Sequence, residues 1–512
     1  MTTFTAVDPR TGRPGQEQFE EATLADVRAA AARAARAFRA WRAAAPGGRA
    51  RFLRGAADRL EASRATLVAT ADGETGLGAA RLNGELDRTT AQLRAFADIV
   101  DEGSFVEAII SPADPSAKPP RPDVRRMLVP IGPVAVFTPS NFPLAFGVAG
   151  GDTASALAAG CPVVVKGHPS HPATSAACAE ALRAAGKETG MPDGVIDLLQ
   201  ARGLDAARAL VTAPEMRAVA FTGSLSGGRA IHDLAASRPE PIPVFAEMGS
   251  LNPVFIAPGA FSARSAEIAE GLAYSITLGT GQFCTKPGVV FVPSTDASGR
   301  AFAAAIAERV AARAPGLMLN PQLHAGLKEK LERTRALPGV EVLGGNEVKE
   351  SGALARPGVI MTTDLATFTA TPALREEYFG PVSVIVRCPS AESLIDVAGD
   401  LEGSLTATIH ADAADSDWAS RLSSTLTDKA GRIVWNGYPT GVVVVWGMQH
   451  GGPYPATTSA GHTSVGATAI RRFLRPVAFQ STPDALLPEP LRAANPLGIQ
   501  RLVDGRWTKD PA

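Results

Sequence analysis

Cys284 lies in the run Gly279-Thr280-Gly281-Gln282-Phe283-Cys284-Thr285, directly after a helical stretch. A cysteine on a glycine-rich turn is open to a substrate, and backbone N–H groups near it favour the thiolate, its nucleophilic form. Cysteine is more often a small buried hydrophobe. Cys161, Cys178 and Cys388 fit that description, sitting in or at the end of apolar segments. Only Cys284 has a turn of this type. Glu247 closes the apolar run Val244-Phe245-Ala246 and precedes Met248-Gly249. A carboxylate at the carboxyl end of a buried strand is either an ion-pair partner or a base with a raised pKa. Gly249, having no side chain, lets a backbone or ligand approach closely, which favours the base. Asn141, in Pro139-Ser140-Asn141-Phe142-Pro143, is by spacing a turn former whose amide N–H would also suit an oxyanion hole.

Two further groups suit a phosphorylated ligand. Lys166 ends an apolar strand and precedes Gly167-His168-Pro169; it can snorkel to solvent or reach a ribose or phosphate. The run Phe221-Thr222-Gly223-Ser224-Leu225-Ser226-Gly227-Gly228 ends a strand and opens a helix. Free N–H groups there make an anion site suited to a pyrophosphate, although the run is not GxGxxG and is a weak signal alone.

The elements that must position these residues follow from periodicity. Thr23 to Ala45 is predicted as a helix, with Val27, Ala31, Ala34, Phe38 and Trp41 on one face and Thr23/Asp26 as a capping box. Helical patterning continues from Arg49 to Val100. Pro112, Pro115, Pro119, Pro120 and Pro122 then exclude helix and central strand, leaving an extended linker or edge arm. From 124 to 250 strands alternate with helices, the strands being Val134–Phe137, Pro162–Lys166, Val195–Leu199, Ala218–Phe221 and Val244–Glu247. That alternation implies a parallel sheet covered by helices, whose ligands collect at the carboxyl ends of the strands. A second alternating region runs from Asn252 to Gly447 and begins with a helix at Ala263–Thr277. Val442–Trp446 reads as a buried strand, and Phe473–Phe479 as a further strand.

Composition sets the outer bounds. At 512 residues more than one structural domain is expected, and a net charge of -1 gives no field for nucleic acid or an anionic membrane. The first twelve residues have no secretory h-region, and no apolar run is long enough to span a membrane. With 4 cysteines and no CxxC pair, neither a disulfide framework nor a metal site is expected, and a reducing cytoplasm is the simplest setting.

Taken together the motifs resemble the aldehyde dehydrogenase superfamily over nearly the whole chain. Ser140-Asn141-Phe142-Pro143, Phe221-Thr222-Gly223-Ser224, Glu247-Met248-Gly249, Gly281-Gln282-Phe283-Cys284 and Glu376-Glu377-Tyr378-Phe379-Gly380-Pro381 follow in the family's order. The resemblance implies an α/β fold with a Rossmann-like cofactor domain (1–111 and 130–246), an α/β catalytic domain (247–463) and a β oligomerisation arm with tail (112–129 and 464–512). It implies Cys284 as nucleophile, Glu247 as general base, and the Asn141 side chain with the Cys284 N–H as oxyanion hole. Lys166, Gly223, Ser224 and Gly228 would hold the adenosine ribose and pyrophosphate of NADP or NAD, and Glu377 and Phe379 its nicotinamide end. Phe142, Phe283 and His462 would face the aldehyde. The Pro-rich arm and the strand near Phe473–Phe479 would pair across subunits in a homodimer or a tetramer built from two dimers.

Where the family commonly has Lys-x-x-Glu, this chain has Lys166-Gly167-His168-Pro169. A 2′-phosphate would then meet no carboxylate, so NADP fits, with His168 and Arg202 as its expected partners. Gly150-Gly151-Asp152-Thr153-Ala154-Ser155-Ala156-Leu157, Asn436-Gly437-Tyr438-Pro439-Thr440-Gly441-Val442, His450-Gly451-Gly452-Pro453-Tyr454-Pro455-Ala456-Thr457-Thr458 and Arg472-Phe473-Leu474-Arg475-Pro476-Val477 are similar to 2-oxoglutarate semialdehyde (2,5-dioxovalerate) dehydrogenases. The implied reaction converts 2,5-dioxopentanoate to 2-oxoglutarate. The stretch Ser459–Ser464 lacks the Arg expected near His462 as partner for a substrate carboxylate. Another semialdehyde or a medium- or long-chain aldehyde is therefore the alternative. A CoA-acylating enzyme would not need Glu247, and an idle scaffold would not need Cys284, Glu247 and Asn141 together.

Overall fold

The computed structural model describes residues 2–345 and 353–512. The first helix covers Leu24–Arg42 and opens with the expected capping box, the Thr23 side chain accepting from the Asp26 N–H while Asp26 reaches back to the Thr23 N–H. It buries Val27, Ala31, Ala34 and Trp41 as its periodicity requires, and Phe38 lies at the edge of that face under the Arg42 guanidinium. Helices Pro46–Ala62, Arg64–Thr75 and Ala79–Glu102 follow.

Strands Val134–Phe137, Val163–Gly167, Ile196–Gln200, Ala218–Thr222 and Val244–Glu247 form an all-parallel sheet. Their spatial order, starting from Val244–Glu247, is fifth, fourth, first, second, third. The order reverses beside Val134–Phe137, so connections leave that strand in opposite directions and open a crevice at its carboxyl end. Thr138 to Asn141, Lys166, Thr222 to Ser224 and Glu247 all stand at that edge.

The second sheet has seven strands in the order 341–344, 359–364, 382–387, 289–292, 254–256, 404–410, 430–435, parallel except for the first. Cys284 and Glu377 lie just before strands 289–292 and 382–387, at the amino edge of this sheet. The site therefore forms where the carboxyl edge of one sheet meets the amino edge of the other.

A third sheet joins strands 474–480, 124–130, 109–111, 501–503 and 506–508. Strand Leu474–Gln480 pairs antiparallel with Val124–Pro130 of the same chain, and the proline-rich stretch is the loop between Ile109–Ser111 and Val124–Pro130. The two segments satisfy each other's backbone groups on one side, and Leu474–Gln480 stands at the edge of the sheet. One correction concerns Val442–Trp446, which is an extended loop and no buried strand. Val442 and Val444 pack towards Phe142 and Phe146, whereas Val443, Val445 and Trp446 are more than half or half exposed at 61%, 50% and 57%. No strand lies alongside to cover the second face, so the apolar run is only half used.

Candidate active site

Cys284 follows a kinked 3-10 turn in which Gly279, Thr280 and Gly281 all take positive φ (56°, 59° and 62°). At Gly281 a Cβ would stand 2.2 Å from the Gly380 carbonyl oxygen, so no other residue fits there. Asn252 holds the turn from below, its Nδ2 donating to the carbonyls of Cys284 (2.8 Å) and Lys286 (3.0 Å). Gln282 is fully buried and pins the turn to the next segment through Leu317 and Leu319. The Asn141 side chain is buried and donates to the Gln282 carbonyl at 2.9 Å, which brings its amide to the cysteine turn. Arg81 donates to the Asn141 carbonyl from the other side.

Glu247 is 4% exposed, and its neighbourhood is built by a segment distant in sequence. Residues 456–458 run alongside the strand end, with Met248 N–H donating to the Ala456 carbonyl, Thr458 N–H to the Ala246 carbonyl, and a bridge between Glu247 and Thr457. That stapling delivers His450. Its Nε2 lies 3.1 Å from Glu247 Oε1 and 3.3 Å from Cys284 Sγ. Ser464 donates to Glu247 Oε2 and to the His450 carbonyl, and Thr463 Oγ1 accepts from the His450 N–H. Ligand atoms of the three side chains all fall within 4.8 Å of one another, with His450 the group in contact with both of the others.

The electrostatics correct one expectation. Burial, followed by the negative charge of Glu247, raises the Cys284 thiol well above its ordinary value, with Arg88 pulling the other way. The glycine-rich turn does not by itself make a thiolate; a neighbouring base must take the proton. Burial also raises Glu247, but the adjacent His450 and the hydrogen bonds from His450 and Ser464 outweigh it and hold the carboxyl below its usual value. In the tautomer with a bare Nε2, His450 accepts from the thiol; protonated there, it donates to the carboxylate.

A cavity of about 1220 Å³ leads away from Cys284. Cys284, Glu247, Glu377, Phe379 and Asn141 line it together with Gly223, Ser224, Lys166, His168 and Arg202. Gly249 has its expected close neighbour: a Cβ there would meet Glu377 Oε2 at 2.5 Å. Burial raises Glu377 to about 7 despite Lys286 and Lys330 nearby. Ser224 caps helix Leu225–Ala236 by accepting from the Gly227 N–H, leaving that helix terminus open to the cavity. Lys166 is pushed down to about 8 by burial and is drawn back up by Glu21.

Several expected roles do not match the geometry. Gly228 is buried beneath Met248, whose side chain a Cβ would strike at 2.6 Å, so it serves helix-to-strand packing and does not line the cavity. His168 lines the cavity, and burial, followed by His171 and Lys166, holds its pKa well below the ordinary value. Arg202 is paired with Glu21 at 2.9 Å over the Phe4 ring. Glu21 thus places beside Arg202 a carboxylate that Pro169 does not supply. His462 packs edge-on against Phe245 and is hydrogen-bonded through Nδ1 to Ser459 Oγ at 2.8 Å, outside the phenylalanine cluster. Phe142 and Phe283 do meet, at 5.2 Å, and with Phe146, Ala145 and Val465 form an apolar cluster beside Cys284.

The deciding comparison is with known families. Residues 1–476 match the model of the aldehyde dehydrogenase family. The chain belongs to that family. This aldehyde dehydrogenase is 48% identical, over 98% of its own length and 96% of the relative's, to alpha-ketoglutaric semialdehyde dehydrogenase 2 of Azospirillum brasilense. It is 40% identical, over 99% and 96%, to alpha-ketoglutaric semialdehyde dehydrogenase of Acinetobacter baylyi. Among solved structures, PnpE from Pseudomonas sp. WBC-3 matches with a TM-score of 0.79 at 24% identity, covering 94% of each chain. A mutant of aldehyde dehydrogenase C from Pseudomonas syringae, complexed with NAD+ and octanal, matches at 0.79 and 20%, again over 94% of each. The enzyme is an aldehyde oxidoreductase of a family that uses NAD or NADP.

Among these functional residues, Asn252, Ser464 and His450 escaped sequence reasoning. His450 stood inside a quoted motif, but nothing in its spacing from Glu247 or Cys284 signalled contact.

Proposed function

We propose that the enzyme oxidises 2,5-dioxopentanoate to 2-oxoglutarate with NADP or NAD. The observation that carries the substrate is the likeness, over nearly the whole chain, to two relatives named for that aldehyde. The observation that supports the chemistry is the contact of Cys284, His450 and Glu247 at the head of the cavity.

The residues present fit a dinucleotide. The Lys166 ammonium makes no hydrogen bond among the described residues, a helix terminus faces the cavity, and Glu377 and Phe379 line it together with Cys284. Such a cofactor supplies the hydride acceptor when bound. His450 Nε2, 3.3 Å from Cys284 Sγ, accepts the thiol proton, and Cys284 adds to the aldehyde carbon. The Asn141 amide and the Cys284 N–H face the oxygen that becomes negative in the thiohemiacetal. After oxidation leaves an acyl thioester on Cys284, Glu247 takes a proton from water and the thioester hydrolyses. The low pKa of Glu247 keeps it ionised for that step. The apolar cluster of Phe142, Phe146 and Phe283 excludes bulk water from the acyl group.

The cofactor domain, catalytic domain and arm correspond in this reading to 1–111 with 130–246, 247–463, and 112–129 with 464–512. Strand Leu474–Gln480 is at the outer edge of its sheet, and Tyr274, Trp435 and Trp446 are exposed, which supports a homodimer or tetramer. The reduced thiols suit the cytoplasm.

The test is kcat/KM with 2,5-dioxopentanoate, succinate semialdehyde, pentanal and octanal, each with NAD and NADP. The expected outcome is highest activity with 2,5-dioxopentanoate. Preference for octanal would move the assignment to medium-chain aldehydes, and an acyl-CoA product on adding CoA would replace water as the acceptor.

A further inference from the structure

Arg81, Glu85 and Arg88 recur at i, i+4 and i+7 on helix Ala79–Glu102 and so share one face. That face packs over the apolar cluster beside Cys284. The Arg81 guanidinium carbon lies 5.0 Å from the Phe142 ring centroid and 4.8 Å from that of Phe283. That of Arg88 lies 4.8 Å from Phe146 and 5.9 Å from Phe142. The two arginines are nevertheless in different situations. Arg81 donates to the Asn141 carbonyl at 2.6 Å and helps to hold the oxyanion amide. Arg88, among the described residues, makes no hydrogen bond and no ion pair, and its Nε and Nη2 are enclosed without a partner.

An enclosed cation without an acceptor is costly to a fold, and Glu85 on the same face makes no hydrogen bond to it, its Oε2 having no hydrogen-bond partner among the described residues. Glu85 Oε1 accepts from the N–H groups of Leu144 and Ala145 (2.8 and 3.0 Å), and Glu85 forms no ion pair with either arginine. Arg432, the other arginine whose charge reaches Cys284, gives both terminal nitrogens to the carbonyls of Pro439 and Gly441. Among the described residues Arg88 makes no hydrogen bond at all, whereas Arg81 and Arg432 each hold backbone carbonyls and leave only Nη1 and Nε, respectively, enclosed without a partner. Aromatic faces hold the Arg88 plane by cation–π contact, leaving the N–H edges for a planar anion. A carboxylate matches that fork with two parallel hydrogen bonds.

We propose that Arg88 is the subsite for the carboxylate at the far end of the substrate, and so the residue that selects aldehydes carrying an acid group. It takes the place of the arginine missing around His462. The assignment rests on the substrate reading above, and it explains how an otherwise apolar pocket accepts a dianion-free but charged oxo acid. With the carboxylate held at Arg88 and the aldehyde at Cys284, the chain between them lies along Phe142 and Phe146.

The experiment measures kcat/KM for 2,5-dioxopentanoate and for pentanal in wild type, Arg88→Met and Arg88→Lys, with Arg88→Gln as second neutral variant should the Met protein fail to fold. The ratio of the two substrates is expected to fall about 10- to 100-fold in the neutral variants, through KM for the acid, and by less in Arg88→Lys, which keeps the charge but not the fork. Competitive inhibition by glutarate is expected to weaken in parallel. A wild type that prefers 2,5-dioxopentanoate while the neutral variants keep that ratio overturns the Arg88 assignment alone. A wild type without preference for the acid overturns the substrate reading and the assignment with it.

Discussion

Burial and the Glu247 charge both disfavour the Cys284 anion and hold its thiol well above the ordinary cysteine value. The sign of its pH response follows: the thiolate fraction grows as pH rises through neutral, so inactivation by iodoacetamide accelerates with pH, by about tenfold per unit while the thiol remains mostly protonated. Glu247→Gln removes one of the two causes, and the inactivation profile is expected to move to lower pH. A move to higher pH would instead show that the carboxylate serves the thiol as its base. In the same variant the first-turnover burst of reduced cofactor is expected to survive while steady-state turnover falls about 10²- to 10⁴-fold, since water activation is lost. Rapid-mixing absorbance separates the two phases.

The elements that carry these residues are tied together by contacts distant in sequence. Helix Gly151–Ala159 and the turn Ala467–Phe473 are joined by a buried pair, Arg472 Nη1 to Asp152 Oδ1 at 2.7 Å, with Arg472 Nη2 also donating to Ser155. The two motifs that looked separate in the chain are one packing unit beneath the Phe142–Phe146 segment. Removing one partner leaves the other charge buried: Arg472→Ala is expected to lower unfolding free energy by about 3–5 kcal/mol, read from denaturant midpoints. The double variant Asp152→Asn with Arg472→Met is expected to recover most of that loss. No recovery would mean that the arginine acts through packing on Phe473 and not through its charge.

The molecule as a whole assembles the cavity from distant parts of the chain: the N-terminal segment, the parallel sheet with its helices, the Cys284 turn, residues 319–323 and the turn bearing Glu377. Cofactor choice belongs at this level, because Arg202 meets its partner Glu21 from outside the sheet. A 2′-phosphate competes with Glu21 for Arg202, whereas a 2′-hydroxyl can donate to Glu21. Arg202→Ala is expected to lower kcat/KM with NADP relative to NAD about tenfold, and Glu21→Gln to shift the ratio towards NADP. Equal effects on both cofactors would remove the pair from the 2′-position.

Much of this architecture is written locally. The strand–helix alternation from Val134 to Glu247, the Thr23 capping box and the five ordered motifs depend on neighbours a few residues apart, so periodicity and turn chemistry reveal them directly. Cys284 and Glu247 stood out because each ends or follows a recognisable element, and the likeness to the family is what implied nucleophile and base. Contacts across hundreds of residues leave no such trace. His450 on Glu247, Ser464 completing that contact, Glu21 on Arg202 and the uncommitted Arg88 arise only when two sheets are brought edge to edge. The same physics decided Cys284: its chain position marked it as a nucleophile, but burial and a neighbouring carboxylate, which only the folded chain supplies, determine whether it carries its proton.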